Sequence, residues 1–141
     1  MTDSNSYITF NGNCAEAMNF YHKCFGGTLD IQTVGQSPVC DDMPTKMKNT
    51  VLHSYLNAGP LKLMATDMVG NEAYKRGNNM AIVLHFESEQ SLRKSFELLA
   101  QDGQTIDQVH KTFWGALYGC LTDKFGIRWL LNYQYENIKT N

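Results

Sequence analysis

Four histidines, at positions 22, 53, 85 and 110, are the side chains of this chain that titrate nearest neutrality. They are therefore the first candidates for proton transfer or metal ligation. No two of them stand at HxH or HxxxH spacing, so no metal motif is written into a single strand or helix. Four cysteines, at 14, 24, 40 and 120, include no CxxC pair. Cys14 and Cys24 would share one helix about 15 Å apart, whereas a disulfide needs Cα atoms within roughly 7 Å. Free thiols in a reducing cytoplasm are the simple reading, and a redox or nucleophilic cysteine is the sharper one. No sequence neighbour of Cys120 is of a kind that would lower its pKa. His22 reads as a solvated helix residue. His53 depends on the strand that carries it, and so on the elements around it.

Residues 10–27, FNGNCAEAMNFYHKCFGG, read as a strand end, a capped helix and a glycine stop. Asn13 is the expected N-cap, with Glu16 reaching back as in a capping box. Ala17, Phe20, Tyr21 and Cys24 recur at helical spacing, and Gly26 and Gly27 suit a left-handed helix end. Residues 86–103, FESEQSLRKSFELLAQDG, repeat this grammar. There Ser88 is the cap, Leu92, Phe96, Leu99 and Ala100 form the stripe, and Asp102-Gly103 is the stop. Phe10 and Phe86, Phe20 and Phe96, and Gly27 and Gly103 share one spacing, as a duplicated unit would.

Strands are expected at 7–10, 28–34, 50–57, 61–67, 80–86, 105–112, 113–123 and 127–133, with a long mobile loop at 35–49 that could cover a site. Gly59 and Pro60 mark the first hairpin, predicted to pair Leu56 with Leu61. Alternation then puts Leu56, Leu61 and Leu63 on one face and His53, Tyr55, Lys62 and Met64 on the other. The second hairpin, predicted to pair Leu121 with Ile127, puts Tyr118, Cys120, Arg128 and Leu130 on one face. Leu121, Ile127, Trp129 and Leu131 take the other. The predicted fold is α+β: two tandem β-α-β-β-β modules, about 5–68 and 78–134, joined by a linker at about 69–77. They form one domain over 1–141, a curved mixed sheet around a cleft with the helices outside.

Composition narrows the function classes. Twelve basic and fourteen acidic residues leave a net charge of −2 and no basic footprint for nucleic acid. No apolar run reaches the roughly 18 residues of a membrane span, and residues 1–10 lack the pattern of a signal peptide. A cytoplasmic protein is expected.

The motif F-x-GNC-x-EA-x-x-FY-x-x-x-FGG at 10–27 resembles the start of PhnB-like proteins. So do His53 in the third strand, MATD at 64–67, TFWGALYG at 112–119 and TDKFGIRW at 122–129. Such proteins belong to the vicinal oxygen chelate superfamily, with glyoxalase I, extradiol dioxygenases and bleomycin-resistance proteins. The resemblance implies the paired modules reached above by pattern, and a homodimer. It also implies a divalent metal held by His, Gln or Glu on the first and last strands of each module. Those positions fall near Ser6, Met64, Met80 or Ala81, and Leu130 here, which are poor donors for such an ion. No metal and no cofactor are therefore expected. A displaced metal set drawn from His53, Asp67, His85, Glu87 and His110 stays open.

Some relatives carry a ubiquinone-pathway methyltransferase label. No glycine-rich strand-to-helix loop supports it here. The expected function is a small-molecule ligand, aromatic or anionic, held in an apolar cleft. His53 is the acid/base candidate, its alternative being a core histidine satisfied by backbone or water. Tyr55, Lys62, Met64, Trp114, Tyr118, Cys120, Arg128 and Leu130 are the ligand-binding candidates. Two alternatives remain: a metal-dependent lyase, isomerase or dioxygenase with displaced ligands, and a structural or regulatory dimer without turnover.

Overall fold

The structure is a computed structural model that describes residues 1–136. It divides into two compact units, Met1–Lys75 and a second that begins at Arg76. The first runs β1 (Ser6–Thr9), α1 (Cys14–Phe25), β2 (Thr28–Thr33), β3 (Val51–Ala58) and β4 (Leu61–Thr66). The second runs β5 (Ile82–Phe86), α2 (Glu89–Ala100), β6 (Gln104–Lys111), β7 (Ala116–Thr122) and β8 (Arg128–Gln134). The sheets have the orders β1-β4-β3-β2 and β5-β8-β7-β6. In each, the first strand lies parallel to the last, and the remaining pairs are antiparallel. The expected α+β fold of tandem β-α-β-β-β modules is what the chain adopts, as two four-stranded mixed sheets, with no closed barrel among the described residues.

The first helix turns its Cys14, Ala17, Met18 and Tyr21 row inward. That stripe is rotated from the predicted one, for Phe20 and Cys24 stay part-exposed. It packs on β3, where Cys14 Sγ lies 3.5 Å from Ser54 Oγ. The row Ser54, Leu56, Leu63 and Ala65 is therefore the helix side of the first sheet, and all four are buried. α1 ends at Gly26 (φ 73), whose amide donates to the His22 carbonyl. Gly27 (φ 82) follows, and a Cβ there would run into the backbone of Asn57 and Ala58. Only glycine permits both that dihedral and that approach.

In the second unit, Leu92, Phe96 and Leu99 of α2 are buried. A Cβ on Gly119 would stand 2.8 Å from Phe96 Cε2, so β7 yields its side chain there to the helix. Leu117, Gly119 and Leu121 thus face α2, as do Trp129 and Leu131 opposite them. Ser88 caps α2 as expected, accepting from the Ser91 amide at 3.1 Å.

Three local expectations are corrected. Asn13 makes no side-chain cap. Asp67, just beyond β4, does that work: its Oδ1 accepts from the Gly12 and Cys14 amides at 2.9 and 3.0 Å, and its Oδ2 accepts from the Val51 amide at 3.2 Å. The 35–49 segment is not shapeless, because it folds into 3-10 turns at Val34–Gln36, Pro38–Asp42 and Thr45–Met47. Val34 and Ser37 are buried beneath it. Phe113 and Trp114 do not begin a strand. They form the β6–β7 turn, which Gly115 (φ 87) closes before β7 starts at Ala116.

Both hairpins are also offset by two residues from the predicted pairing. Leu56 meets Leu63, and Leu121 meets Trp129. The first closes with Ala58 opposite Leu61, leaving Gly59 (φ 72) and Pro60 as a two-residue turn with the positive φ such turns need. A slip of one residue would exchange the faces of a strand, but a slip of two restores them. The predicted faces therefore survive the wrong register.

Candidate functional site

Each sheet keeps one face free of its own helix, and the sequence candidates lie mainly there. In the first unit this row holds His53, Tyr55, Lys62 and Met64, with Tyr55 paired to Met64 and His53 to Gln32 of β2. Tyr7 of β1 stands beside Met64 and is exposed. In the second unit the corresponding row holds Tyr118, Cys120, Arg128 and Leu130, with Cys120 paired to Leu130. Met64 and Leu130 occupy equivalent places in the two sheets, as do Lys62 and Arg128, and His53 and Tyr118. Trp114 stands apart at the β6–β7 turn, 56% exposed, its ring edge-on to Phe113 at 5.0 Å.

The second face carries further polar groups: His85 and His110, named above as possible displaced metal ligands, and Asp107 and Asn132, which pattern reading does not single out. His110 Nε2 lies 3.2 Å from Asp107 Oδ2, and the His110 ring meets Tyr118 edge-on at 6.0 Å. The register shifts twice along β6, between Thr105 and Asp107 and between Asp107 and His110. Strict alternation would place residues three apart on opposite faces, so the sequence carried no signal for this pair. Beside them, Asn132 Nδ2 and His85 Nδ1 are 3.3 Å apart. Burial pushes the Tyr118 phenol up, Cys120 and Asp107 add to the shift, and Arg128 opposes it. Tyr118 therefore stays a protonated hydrogen-bond donor through the neutral range.

The thiols separate by environment. All four cysteines are free. Cys120 is only 3% exposed. Cys14 is fully buried, and loss of solvent raises its pKa from 9.0 to about 11, against a lowering contribution of the hydrogen bond shared with Ser54 and with a further rise from the Asp67 charge. This thiol is no thiolate nucleophile at neutral pH. Because the folded chain holds its proton longer than the unfolded chain, its contribution to stability is intact below pH 9. That contribution falls away as pH rises towards 11. Denaturant melts between pH 8 and 11 should show this loss in the wild type and a flatter profile in Cys14→Ala. Equal slopes would refute it.

Residues 5–131 match the sequence profile of the Glyoxalase/Bleomycin resistance protein/Dioxygenase superfamily. The chain belongs to that superfamily. It is 26% identical to Protein YjdN of Escherichia coli (strain K12) over 137 residues, covering 89% of this chain and 91% of that one. The crystal structure of PA1353 from Pseudomonas aeruginosa is similar at 33% identity and a TM-score of 0.85, covering 96% of this chain and 100% of the other. The PhnB protein from Bacillus cereus is similar at 26% identity and a TM-score of 0.71, covering 94% and 99%.

The metal that this glyoxalase-type superfamily implies can be tested against the donors present. Met64 and Leu130 offer a thioether and an alkyl group. The strand neighbours that share their row are Tyr7 and Val83. Ser6 lies instead beside Leu63, on the helix side, and Met80 and Ala81 precede β5. A hard divalent ion wants several carboxylate oxygens or imidazoles, so these residues do not fit it. The displaced set does not converge either: among the described residues, no three of His, Cys, Asp or Glu gather as a metal site. Asp67 is committed to three backbone amides, and His110 is paired with Asp107. Among the described residues no helix is long and apolar enough to cross a membrane.

Proposed function

We propose that this superfamily member binds a small, partly aromatic or anionic molecule on a helix-free sheet face without the usual divalent metal. The observation that carries the reading is the paired rows. Equivalent strands of the two units present His53, Tyr55, Lys62 and Met64, and Tyr118, Cys120, Arg128 and Leu130, where metal donors would be needed. Aromatic rings and thioethers suit a planar apolar body. Lys62 and Arg128 suit an anionic substituent. His53 is the acid/base of this reading if the bound molecule is turned over, and a hydrogen-bonding contact if it is only held. A homodimer in the cytoplasm completes the proposal.

Fluorescence titration tests it. Trp129 is buried, so the exposed Trp114 is the reporter expected to respond. Aromatic carboxylates and phosphonates should give a saturable change. Tyr55→Ala or His53→Ala should weaken binding about tenfold, roughly 1.4 kcal/mol. If no ligand class gives a saturable signal by fluorescence or by calorimetry, the binding reading fails and a structural role is favoured.

A further inference from the structure

A cavity of about 380 Å³ lies wholly within the second unit, lined by Arg76, Gly77, Asn78, Thr122, Gly126 and Arg128. Its walls are the 76–78 segment and the β7–β8 hairpin. Two reciprocal bonds tie them together: Arg76 Nη1 donates to the Phe125 carbonyl at 3.3 Å, and Arg128 Nη1 donates to the Asn78 carbonyl at 3.2 Å. The Arg76 side chain lies directly on Gly126 (φ 89), in the space a Cβ would occupy. Each guanidinium has five N–H donors, so these bonds leave further donors to each. Among the described residues, neither arginine forms an ion pair with a carboxylate.

Two guanidinium groups, each tied to a backbone carbonyl and without a carboxylate partner among the described residues, concentrate two positive charges on one small cavity. The threonine hydroxyl and the glycine backbone add polar groups that a compact anion can approach closely. We propose that this cavity is a binding site for a doubly charged tetrahedral oxyanion, a phosphate or phosphonate group. A dianion balances both charges, and its several oxygens match the planar forks of two arginines. The site deepens the preceding proposal at one residue, Arg128. It rests on that reading only if the oxyanion is a substituent of the same ligand. As a site for a free anion it stands independently.

The test is titration of the protein with inorganic phosphate near pH 8 at constant ionic strength, followed by the amide resonances of Gly77, Asn78 and Gly126. The expected result is saturable shifts at these amides with a single Kd. Arg76→Gln and Arg128→Gln should each weaken that Kd at least about tenfold, and singly charged acetate should bind more weakly than phosphate. Tighter binding of phenyl phosphate than of inorganic phosphate would put the oxyanion on an organic ligand. Equal affinities would make it a free anion, and both outcomes support the site. His53→Ala and Tyr55→Ala should leave phosphate binding unchanged, so failure of the aromatic reading and failure of this one are distinguishable. Shifts no larger than those from chloride would overturn the proposal. So would equal phosphate affinity in the wild type, Arg76→Gln and Arg128→Gln, because the arginines would then serve only to hold the 76–78 segment. Arg76→Lys guards against a folding artefact: it keeps the charge but loses the fork, and should bind phosphate with intermediate affinity.

Discussion

Replacing Asp123 with alanine is expected to remove about 4 kcal/mol of stability, a large share of the total for a chain of this size. Its side chain is buried at the head of the β7–β8 hairpin. Oδ1 accepts from the Phe125 and Ile127 amides at 2.8 and 3.0 Å, and Oδ2 accepts from the Trp129 indole at 2.8 Å. The indole is fully buried, so alanine would remove the carboxylate acceptor of its N–H in a place remote from solvent. Asp123→Asn should be the milder change. The amide oxygen can keep both backbone bonds, but the amide NH2 then faces the indole N–H, donor against donor, at about 2 kcal/mol. Trp129→Phe removes that conflict, so Asp123→Asn should cost less in the phenylalanine background by about 1 kcal/mol. Urea melts of the wild type, the two single variants and the double variant measure this cycle. Additive effects, or an Asp123→Ala midpoint close to wild type, would refute the account. The hairpin also forms one wall of the Arg76–Arg128 cavity, and phosphate binding should weaken in parallel with its loss of order.

Asp67→Ala should have the next largest effect, about 3 kcal/mol. One carboxylate there accepts from three amides in two places distant in sequence: Gly12 and Cys14 at the start of α1, and Val51 at the start of β3. Its negative charge also lies at the positive end of the helix dipole, which adds to the loss. Asp67→Asn keeps one oxygen but offers a donor where the other stood, and should cost about half as much. Asn13→Ala, by contrast, should change stability by only a few tenths of a kcal/mol, because Asn13 contributes no side-chain cap. Hydrogen exchange gives a local readout. The Cys14 amide should exchange faster in Asp67→Ala relative to global unfolding. A larger effect of Asn13→Ala than of Asp67→Ala would overturn this assignment.

These aspartates show where reading from sequence stops. MATD and TDKFGIRW are visible as motifs, and Asp67 is a candidate metal ligand by residue type, but nothing in the sequence marks either aspartate as an acceptor for distant amides. The partners of Asp67 include amides 53 and 55 residues away, and no local capping rule reaches that far. Asn13 was a reasonable cap by residue type, yet the fold brought a charged competitor to the same amides. The β6 irregularity worked the same way on the site. Period-two alternation cannot foresee that two register shifts bring Asp107 and His110 together beside Tyr118.

By itself the sequence determined the element types, the duplication and the two faces of each hairpin. These follow from periodicity, which is local and survives a two-residue slip. It also shows that the positions the resemblance assigns to a metal, near Ser6, Met64, Met80 or Ala81, and Leu130, carry no carboxylate or imidazole, whereas only the structure put Tyr7 and Val83 in the row of Met64 and Leu130. Only the tertiary structure decided which carboxylate caps α1, which one holds the Trp129 indole, and that Arg76 and Arg128 flank a single cavity. Those pairings join residues from 6 to 55 positions apart. Chain topology and exact strand register set such distances, and side-chain chemistry cannot reveal them until both are in place.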